Sequence, residues 1–563
     1  MAPSGLGRRL TRFAISTTDR YRPSVPHYDV IVIGSGFGGA VSALRLTEKG
    51  YSVGVLEAGR RFRPGDFAKT NWDLGKYFWF PRAGMRGILR MDLLSDVLVL
   101  SGAGVGGGSL GYANTLYEPR PDFYKDPQWA ELADWETELA PFYALAKRML
   151  GVTRSPADTP ADDVMRFVAD RLGAGDTFHP APVGVFMGDP AKEVDDPYFG
   201  GAGPRRVGCA LQGACMVGCN QGAKNTLDKN YLHLAEANGA VIHPSAEAVD
   251  VSESDGGWEV TTVRPGPVRR RRRRFTADQV VFSAGALGTV KLLLALAERG
   301  RLPHMSPEVG RLVRTNSEVL LGATARGLDI DYSQGHAITS SIRPEPRTQI
   351  EPVRYPKGSS AMGLLSTILI DGGPGPPRAV RYLAKAIRHP IDWARSLSVR
   401  RWAERTVILL VMQSYDNSLQ LSREKGLLGT RLKSRRGRGD PIPTYIPVAN
   451  EAGRLAAEAM GGDARNAINE VLLNRPVTAH ILGGAPIGAD PGSGVIDAYH
   501  RVFGHRGLHV VDGAAVGANL GTNPSLTIAA MAERAVSMWP VKGGADPRPP
   551  LGDPYHPIPK SVS

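Results

Sequence analysis

The chain has 563 residues, 42% of them apolar, and carries a formal net charge of +13. That length exceeds one ordinary domain, so two domains sharing a chain are expected, and three cysteines are too few for a disulfide scaffold. The positive balance favours an anionic partner or surface, although much of the excess is local.

Residues 1–27 are basic and polar, with Arg8, Arg9, Arg12, Arg20 and Arg22, and read as an N-terminal extension. They hold no apolar run long enough for a signal peptide or membrane span, and Arg8-Arg9 lacks the apolar stretch that a twin-arginine signal needs. A cytoplasmic location is the expectation.

The stretch from Tyr28 to Gly59 organises the rest. An apolar strand over Val30–Ile33 turns on Gly34, Gly36 and Gly39 and enters an alanine- and leucine-rich helix that ends near Lys49-Gly50. A second strand, Ser52 to Leu56, delivers Glu57, 18 residues past Gly39. This is a βαβ unit with a dinucleotide fingerprint in its required context. The glycines permit a tight turn and let main chain approach a pyrophosphate at the helix N-terminus, and Glu57 can accept from ribose hydroxyls.

Residues 71–99 carry Trp72, Tyr77, Phe78, Trp79 and Phe80 among basic residues without a clean period, which predicts an aromatic covering loop. Six glycines fall in the eleven residues from Ser101 to Gly111. Such density fits main chain lying directly against a flat ligand, and Val105, Leu110 and Tyr112 do not belong in a linker. Residues 130–150 and 160–172 read as amphipathic helices, and 180–204 as a Pro- and Gly-rich excursion. Then Cys209, Cys215 and Cys219 fall within eleven residues and none elsewhere. The bland reading is a set of small buried side chains. The chemical one is a cuboidal cluster with three irons, one cysteine each, since no fourth ligand for tetrahedral zinc is evident.

Strands follow at 239–243 and 258–263, the latter pairing with Phe275 to Phe282 across a turn that holds six consecutive arginines, Arg269 to Arg274. Like charges at a hairpin tip must face water, and no nucleic-acid module accompanies them, so no nucleic-acid partner is expected. Val280 to Gly288 is a strand turning tightly into a leucine-rich helix. From Arg311 to Pro476 strands with polar insertions predict a substrate domain, including Gln349 to Tyr355 and a buried strand at Thr406 to Met412. The segment Arg378 to Trp402 is a basic amphipathic element, suited to an anionic membrane surface or to a solvated helix packed on its own domain. Near the end, His480 stands beside a glycine pair, Leu508 to Asp512 is a strand ending in a carboxylate, and Asn523-Pro524 opens a helix whose N-terminus can face a negative ring oxygen. Both ends of the chain therefore contribute to one cofactor site.

The ordered set GSGFGG, LEAG, GVGGGSL, SAGALGT, AHILGG and VVDGAAVGANLGTNPSLTIAAMAER resembles the FAD-dependent glucose-methanol-choline (GMC) oxidoreductases, and among them the bacterial sterol oxidases. It spans roughly residues 28–540. The resemblance implies an α/β fold: a Rossmann-like domain binding FAD non-covalently, discontinuous over 28–120, 205–310 and 477–540, and a mainly antiparallel-sheet α+β substrate domain over 121–204 and 311–476, with a tail at 541–563. It implies that Gly34, Gly36, Phe37, Gly38, Gly39, Glu57 and Ala58 meet the ADP half. Gly107, Gly108, Ser109, Tyr112 and Asn114 would lie along the isoalloxazine, and Asp512, Gly513, Asn523 and Pro524 would close the site. His480 takes the place of the active-site histidine, Asn523 that of its partner, and Glu351 that of the carboxylate which moves a proton from C4 to C6 in the sterol oxidases. Two positions depart from them: Ala485 stands where a cysteine is usual, and Tyr112-Ala113-Asn114 replaces an asparagine-glycine pair. The cysteine spacing resembles the [3Fe-4S] motif of bacterial FAD-dependent sugar dehydrogenases.

The implied function is oxidation of a 3β-hydroxysteroid such as cholesterol, with oxygen or another redox acceptor taking the electrons and a double-bond shift possible in the product. The alternatives are a dehydrogenase of another hydrophobic or sugar-like alcohol, with an iron–sulfur cluster, or a membrane-associated electron-transfer flavoprotein. Peripheral contact with a membrane fits a sterol substrate.

Overall fold

The computed structural model describes residues 25–267, 271–426 and 429–560. The N-terminal stretch up to residue 24 and two of the hairpin arginines lie outside them.

β1 (His27–Ile33), α1 (Phe37–Glu48) and β2 (Val53–Glu57) form the expected first crossover. Its strands are apolar on both faces, which suits a parallel sheet covered by helices on each side. β1 is central: it pairs in parallel with β2 and with β3 (Arg272–Phe282), and a strand at Val241–Pro244 extends the β2 edge. Beyond β3, the strands Gly257–Val263 and Glu247–Ser254 continue antiparallel, with Trp258 opposite Ala277. Late in the chain, Leu508–Val510 returns to pair in parallel with the end of β3. The register sets Ile33 beside Leu56 and Phe282, and Phe282 beside Val510. Four carboxyl ends therefore open on one edge, where an open α/β sheet presents its ligand crevice. The helix α2 (Gly285–Glu298) leaves β3 at this edge.

A second sheet of seven strands is antiparallel throughout. Its centre is β4 (Val319–Ala325), β5 (Thr348–Val353) and β6 (Thr406–Gln413), with β6 lying between the other two; β7 (Gly462–Ala467) flanks β4. The strand Ser366–Ile368 closes the β7 edge. The helix Pro160–Arg171 begins with a capping box between Thr159 and Asp162 and packs beside this sheet, and Trp135–Met149 is the other predicted helix. Two helices, α3 (Arg378–Arg388) and α4 (Pro390–Ser396), stand outside the Ser366–Ile368 edge.

α5 (Ser525–Ser537) runs back against α1. Buried Arg45 of α1 donates from Nε to Glu533 at 2.8 Å, and Tyr231 donates to the other Glu533 oxygen at 2.8 Å. Neither end of this pair is exposed, so removing Arg45 would leave the Glu533 carboxylate buried without its cation. The covering segment is more regular than its composition predicts. Leu89–Leu93 pairs antiparallel with Leu98–Gly102, and Trp79–Phe80 pairs with Met85–Arg86. Cross-strand pairing organised this aromatic-rich stretch, which periodicity within one segment does not reveal. No helix among the described residues is long and apolar enough to cross a membrane.

Candidate active site

One cavity of about 630 Å³ runs from the carboxyl edge of the first sheet to the face of the second. At the first end it is lined by Gly34, Gly36, Phe37, Gly38, Glu57 and Ala58, with Ser283 to Gly285. Close packing dictates the glycine at 38: an added Cβ would stand 1.8 Å from the Val511 carbonyl oxygen. At Gly36 and Gly108 a Cβ would meet nothing within 4 Å, so both leave room for a ligand on bare main chain. Gly107, at φ +53°, binds the two loops together, since a Cβ there would come within 2.6 Å of the Gly36 Cα.

Glu57 is buried, and burial pushes its carboxyl up. It accepts from the Ser35 N–H at 3.1 Å, the Ser35 hydroxyl at 2.6 Å, the Gly59 N–H at 2.7 Å and the Gly104 N–H at 3.3 Å. Its first task is thus to hold the phosphate-side turn to the glycine-rich loop; a ribose hydroxyl must share its lone pairs, most readily with the long Gly104 bond. Phe37 packs edge-on to Tyr112 at 5.7 Å. Gly107, Gly108 and Tyr112 line the cavity, whereas Ser109 turns away, donating to Gly106 O at 2.7 Å and accepting from Leu227 N–H at 3.0 Å. Asn114, at φ 63°, is buried behind the wall, its amide donating to Cys215 Sγ at 2.9 Å. Gly39 packs against Gly34, and Pro524 caps α5 with no side chain covering the helix's first N–H groups. Asp512 and Gly513 also line the cavity. The Asp512 carboxyl, pushed up to about 6 by burial, accepts from Thr289 Oγ1 at 2.6 Å and Ala514 N–H at 2.8 Å. The open glycines, the bare helix N-terminus and the acidic residue closing β2 fit an FAD laid along this half.

At the other half a buried polar chain crosses between the sheets. His480 Nδ1 lies 2.5 Å from Glu318 Oε1, and the second Glu318 oxygen accepts from Ala479 N–H at 2.8 Å. Carboxylate on Nδ1 fixes the tautomer, leaving Nε2 as the acceptor. That nitrogen sits 3.4 Å from Asn523 Nδ2, which also donates to Glu351 Oε2 at 3.3 Å. Glu351 Oε1 accepts from Gln349 Nε2 at 2.8 Å. Asn523 lines the cavity, and its Oδ1 is buried with no hydrogen-bond partner among the described residues. Burial alone would push the His480 imidazole down; facing Glu318 outweighs it, and the imidazole stands above its ordinary value. Burial pushes the Glu351 carboxyl up to about 7, its hydrogen bonds notwithstanding. Arg354, three residues on from Glu351, makes no ion pair with it and is held by Thr159 Oγ1 at 2.8 Å and Thr339 Oγ1 at 2.7 Å.

Glu318 is the member sequence reasoning misses. It closes an Arg-Thr-Asn-Ser-Glu run in which Asn316 and Ser317 both take left-handed backbone, at φ 59° and 47°. A carboxylate directly before an apolar strand was the available signal, and nothing local ties it to a histidine 162 residues on. Around the chain of polar groups the wall is apolar, with Trp79, Met216, Met362, Leu365, Trp402 and Ile408. The covering segment seals it: Tyr77 and Tyr355 hydroxyls lie 3.4 Å apart, and Asn71 is bonded to Ser359 O at 3.2 Å and Ala361 N–H at 3.0 Å.

The expectation of an iron–sulfur cluster is corrected. Among the described residues no three His, Cys, Asp or Glu side chains are placed to hold a metal ion. The three thiols are free: Cys215 Sγ takes the Asn114 amide, Cys209 Sγ the Leu211 N–H at 3.4 Å, and Cys209 and Cys219 pack against one apolar cluster around Val185 and Met412. Burial pushes the Cys209 thiol up to about 12 and the Cys215 thiol upward too, so both stand protonated in this wall. Lys224 occupies the space within this loop, donating to Leu110 O at 2.8 Å and Cys215 O at 2.6 Å. Proximity in sequence came from a tightly wound loop, and the side chains serve packing.

Comparison with known proteins agrees with this geometry. A family model described as GMC oxidoreductase matches residues 204–312 and a second one 433–532, and an FAD binding domain model matches 29–72. A cholesterol oxidase of Mycobacterium tuberculosis is 55% identical over 544 residues, 94% of each chain, and one of Acinetobacter baumannii is 43% identical over 526 residues, 92% of this chain and 95% of its own. The crystal structure of pyridoxine 4-oxidase from Mesorbium loti superposes with a TM-score of 0.56 at 17% identity, covering 90% of this chain and 98% of its own, and so shares the fold. With the nucleotide crevice, the second sheet and relatives of this identity over nearly full length, the chain belongs to the GMC oxidoreductases, FAD-dependent enzymes acting on CH–OH groups.

Proposed function

We propose that this enzyme oxidises a ring-bound secondary alcohol, specifically a 3β-hydroxysteroid such as cholesterol. The observation that carries the reading is the single cavity in which a glycine-lined crevice meets a His480–Asn523–Glu351 cluster set in an apolar wall. A sterol needs such a site, apolar over most of its length with a few polar groups at one end. The long identity with cholesterol oxidases of two bacteria supports the same choice.

Bound FAD supplies the hydride acceptor. In this reading Glu318 holds His480 so that Nε2 faces the substrate and takes the hydroxyl proton, and Asn523 binds the reacting oxygen. Glu351 then carries a proton between ring carbons once the new carbonyl has acidified its neighbour; a carboxyl that titrates at about 7 can both accept and return it. Electrons pass to oxygen or another acceptor. The same reading assigns 28–120, 205–310 and 477–540 to cofactor binding, 121–204 and 311–476 to substrate, and includes peripheral contact with a membrane that holds the sterol. The test is anaerobic: a 3β-hydroxysteroid should bleach the flavin of purified holoenzyme, and a protein carrying FAD that no such steroid reduces would reject the proposal.

A further inference from the structure

The helices α3 and α4 are amphipathic in the inverse sense. Three of the four cations of α3 bond back to the protein: Arg378 donates to Ile370 O at 2.9 Å, Arg381 to Gly372 O at 2.7 Å and Lys385 to Leu369 O at 3.0 Å. Tyr382 is buried on that same side and accepts from Trp393 Nε1 of α4 at 2.7 Å. The apolar residues face outward instead, with Leu383 59%, Ile387 81% and Ile391 66% exposed. Soluble helices bury such a stripe, and a contiguous apolar face left outside marks an interaction surface.

Charge identifies the partner. Residues 378–402 hold seven arginines and lysines; three bond back to the protein, Arg401 pairs with Glu404, and the remaining three are Arg388, Arg395 and Arg400. Arg388 and Arg400 flank the stripe with no carboxylate partner among the described residues, whereas Arg395 is paired with Asp392. An apolar stripe with flanking cations fits the acyl–headgroup boundary of an anionic bilayer: the stripe enters the acyl layer and the cations meet the phosphates. Position agrees. α4 packs on the strand beginning at Ser366, which lines the cavity with Met362 and Leu365, and the neighbouring Leu364 is 60% exposed.

We infer that α3 and α4 dock this enzyme on an anionic lipid bilayer with the Met362–Ser366 side of the cavity toward the lipid. The inference rests on the proposed hydrophobic substrate, and it gives membrane contact a defined face.

The test compares wild-type holoenzyme with a Leu383→Glu, Ile387→Glu, Ile391→Glu variant in sedimentation with vesicles of phosphatidylcholine and phosphatidylglycerol. The three positions are exposed, so the variant should keep its melting temperature and its rate on a detergent-dispersed steroid. Wild type should pellet with vesicles, and the variant's partition coefficient should fall by about a hundredfold or more, since each charge removes an apolar anchor. Arg388→Gln with Arg400→Gln should lower it by roughly fivefold per cation and flatten its salt dependence. Wild type that stays in the supernatant, or a triple variant that pellets equally well, overturns the inference. So does a dimer in sedimentation velocity that the triple variant dissociates, because the stripe would then be covered by a second copy. Failure of every steroid to reduce the flavin in both proteins would reject the substrate while the pelleting comparison still decides the docking face.

Discussion

At the scale of residues, Glu318 and His480 form the tightest contact in the candidate site, and its consequence is a pH dependence. The base form of His480 must be present for it to take a proton, so flavin reduction should rise as pH passes upward through the imidazole's value, which Glu318 holds above normal. Glu318→Gln keeps a hydrogen-bond acceptor but removes the charge, so the rise should move to lower pH while the plateau falls. Stopped-flow reduction across pH checks both effects. His480→Ala should retain FAD and reduce it at least about a hundredfold more slowly, the usual scale of positioned acid–base help; unchanged kinetics at saturating steroid would remove it from the mechanism. Glu351→Gln should leave reduction intact yet let the unconjugated ketone accumulate, as seen in product analysis. Normal conjugated enone from this variant would leave Glu351 only its bonds to Gln349 and Asn523.

Among the elements, those made from neighbouring residues were legible in the sequence. β1, α1 and β2 follow from a short apolar run, three glycines and an alanine-rich helix, all between His27 and Glu57. His480, Asn523 and Glu351 could be named only through their family positions, and Glu318 not at all, because convergence of β4, β5 and two late loops is a property of the sheet. The cysteines teach the converse: three thiols close in sequence need not make a metal site, and here they meet an amide, a backbone N–H and an apolar cluster instead. For α3 the sequence shows amphipathicity but not which face turns inward, since that depends on whether unsatisfied carbonyls at 369–376 await the arginines. Packing also makes a prediction for α1. Gly38→Ala would drive a methyl into the Val511 carbonyl and push the helix off Asp512, at a cost of about 2 kcal/mol or more by overpacking. The variant should melt lower and lose FAD on gel filtration, whereas Gly36→Ala should melt normally and show weakened FAD retention alone.

For the whole molecule, stability should respond to buried acids outside the His480–Asn523–Glu351 cluster. Glu470 is fully buried; burial pushes its carboxyl up to about 8 from an ordinary 4.5, even with Leu320 N–H donating at 2.9 Å. Its folded-state value is raised, so between pH 4.5 and 8 the unfolded chain gives up a proton that the folded chain keeps. The contribution is full below 4.5 and is lost as pH rises through 8. Glu470→Gln should therefore shrink the drop in melting temperature between pH 6 and pH 8, read by calorimetry; an unchanged drop would place the effect elsewhere. His336 and His500, pushed down to about 4 chiefly by burial, act in the opposite sense, since unfolding lets them take up protons as pH falls from 6.5 to 4.

The return of Leu508–Val510 to the edge of β3, with Asp512 and α5 behind it, orders events during synthesis. A ribosome delivers β1, α1 and β2 early, at about 5–20 residues per second, but the wall that closes around them emerges long afterwards. Until then the carboxyl end of β3 is paired on the β1 side alone, and α1 lacks the Glu533 carboxylate that holds Arg45. Cofactor capture is thus a late event in the life of the nascent chain, and a chain halted before residue 508 would carry the nucleotide motif intact without the means to retain the nucleotide.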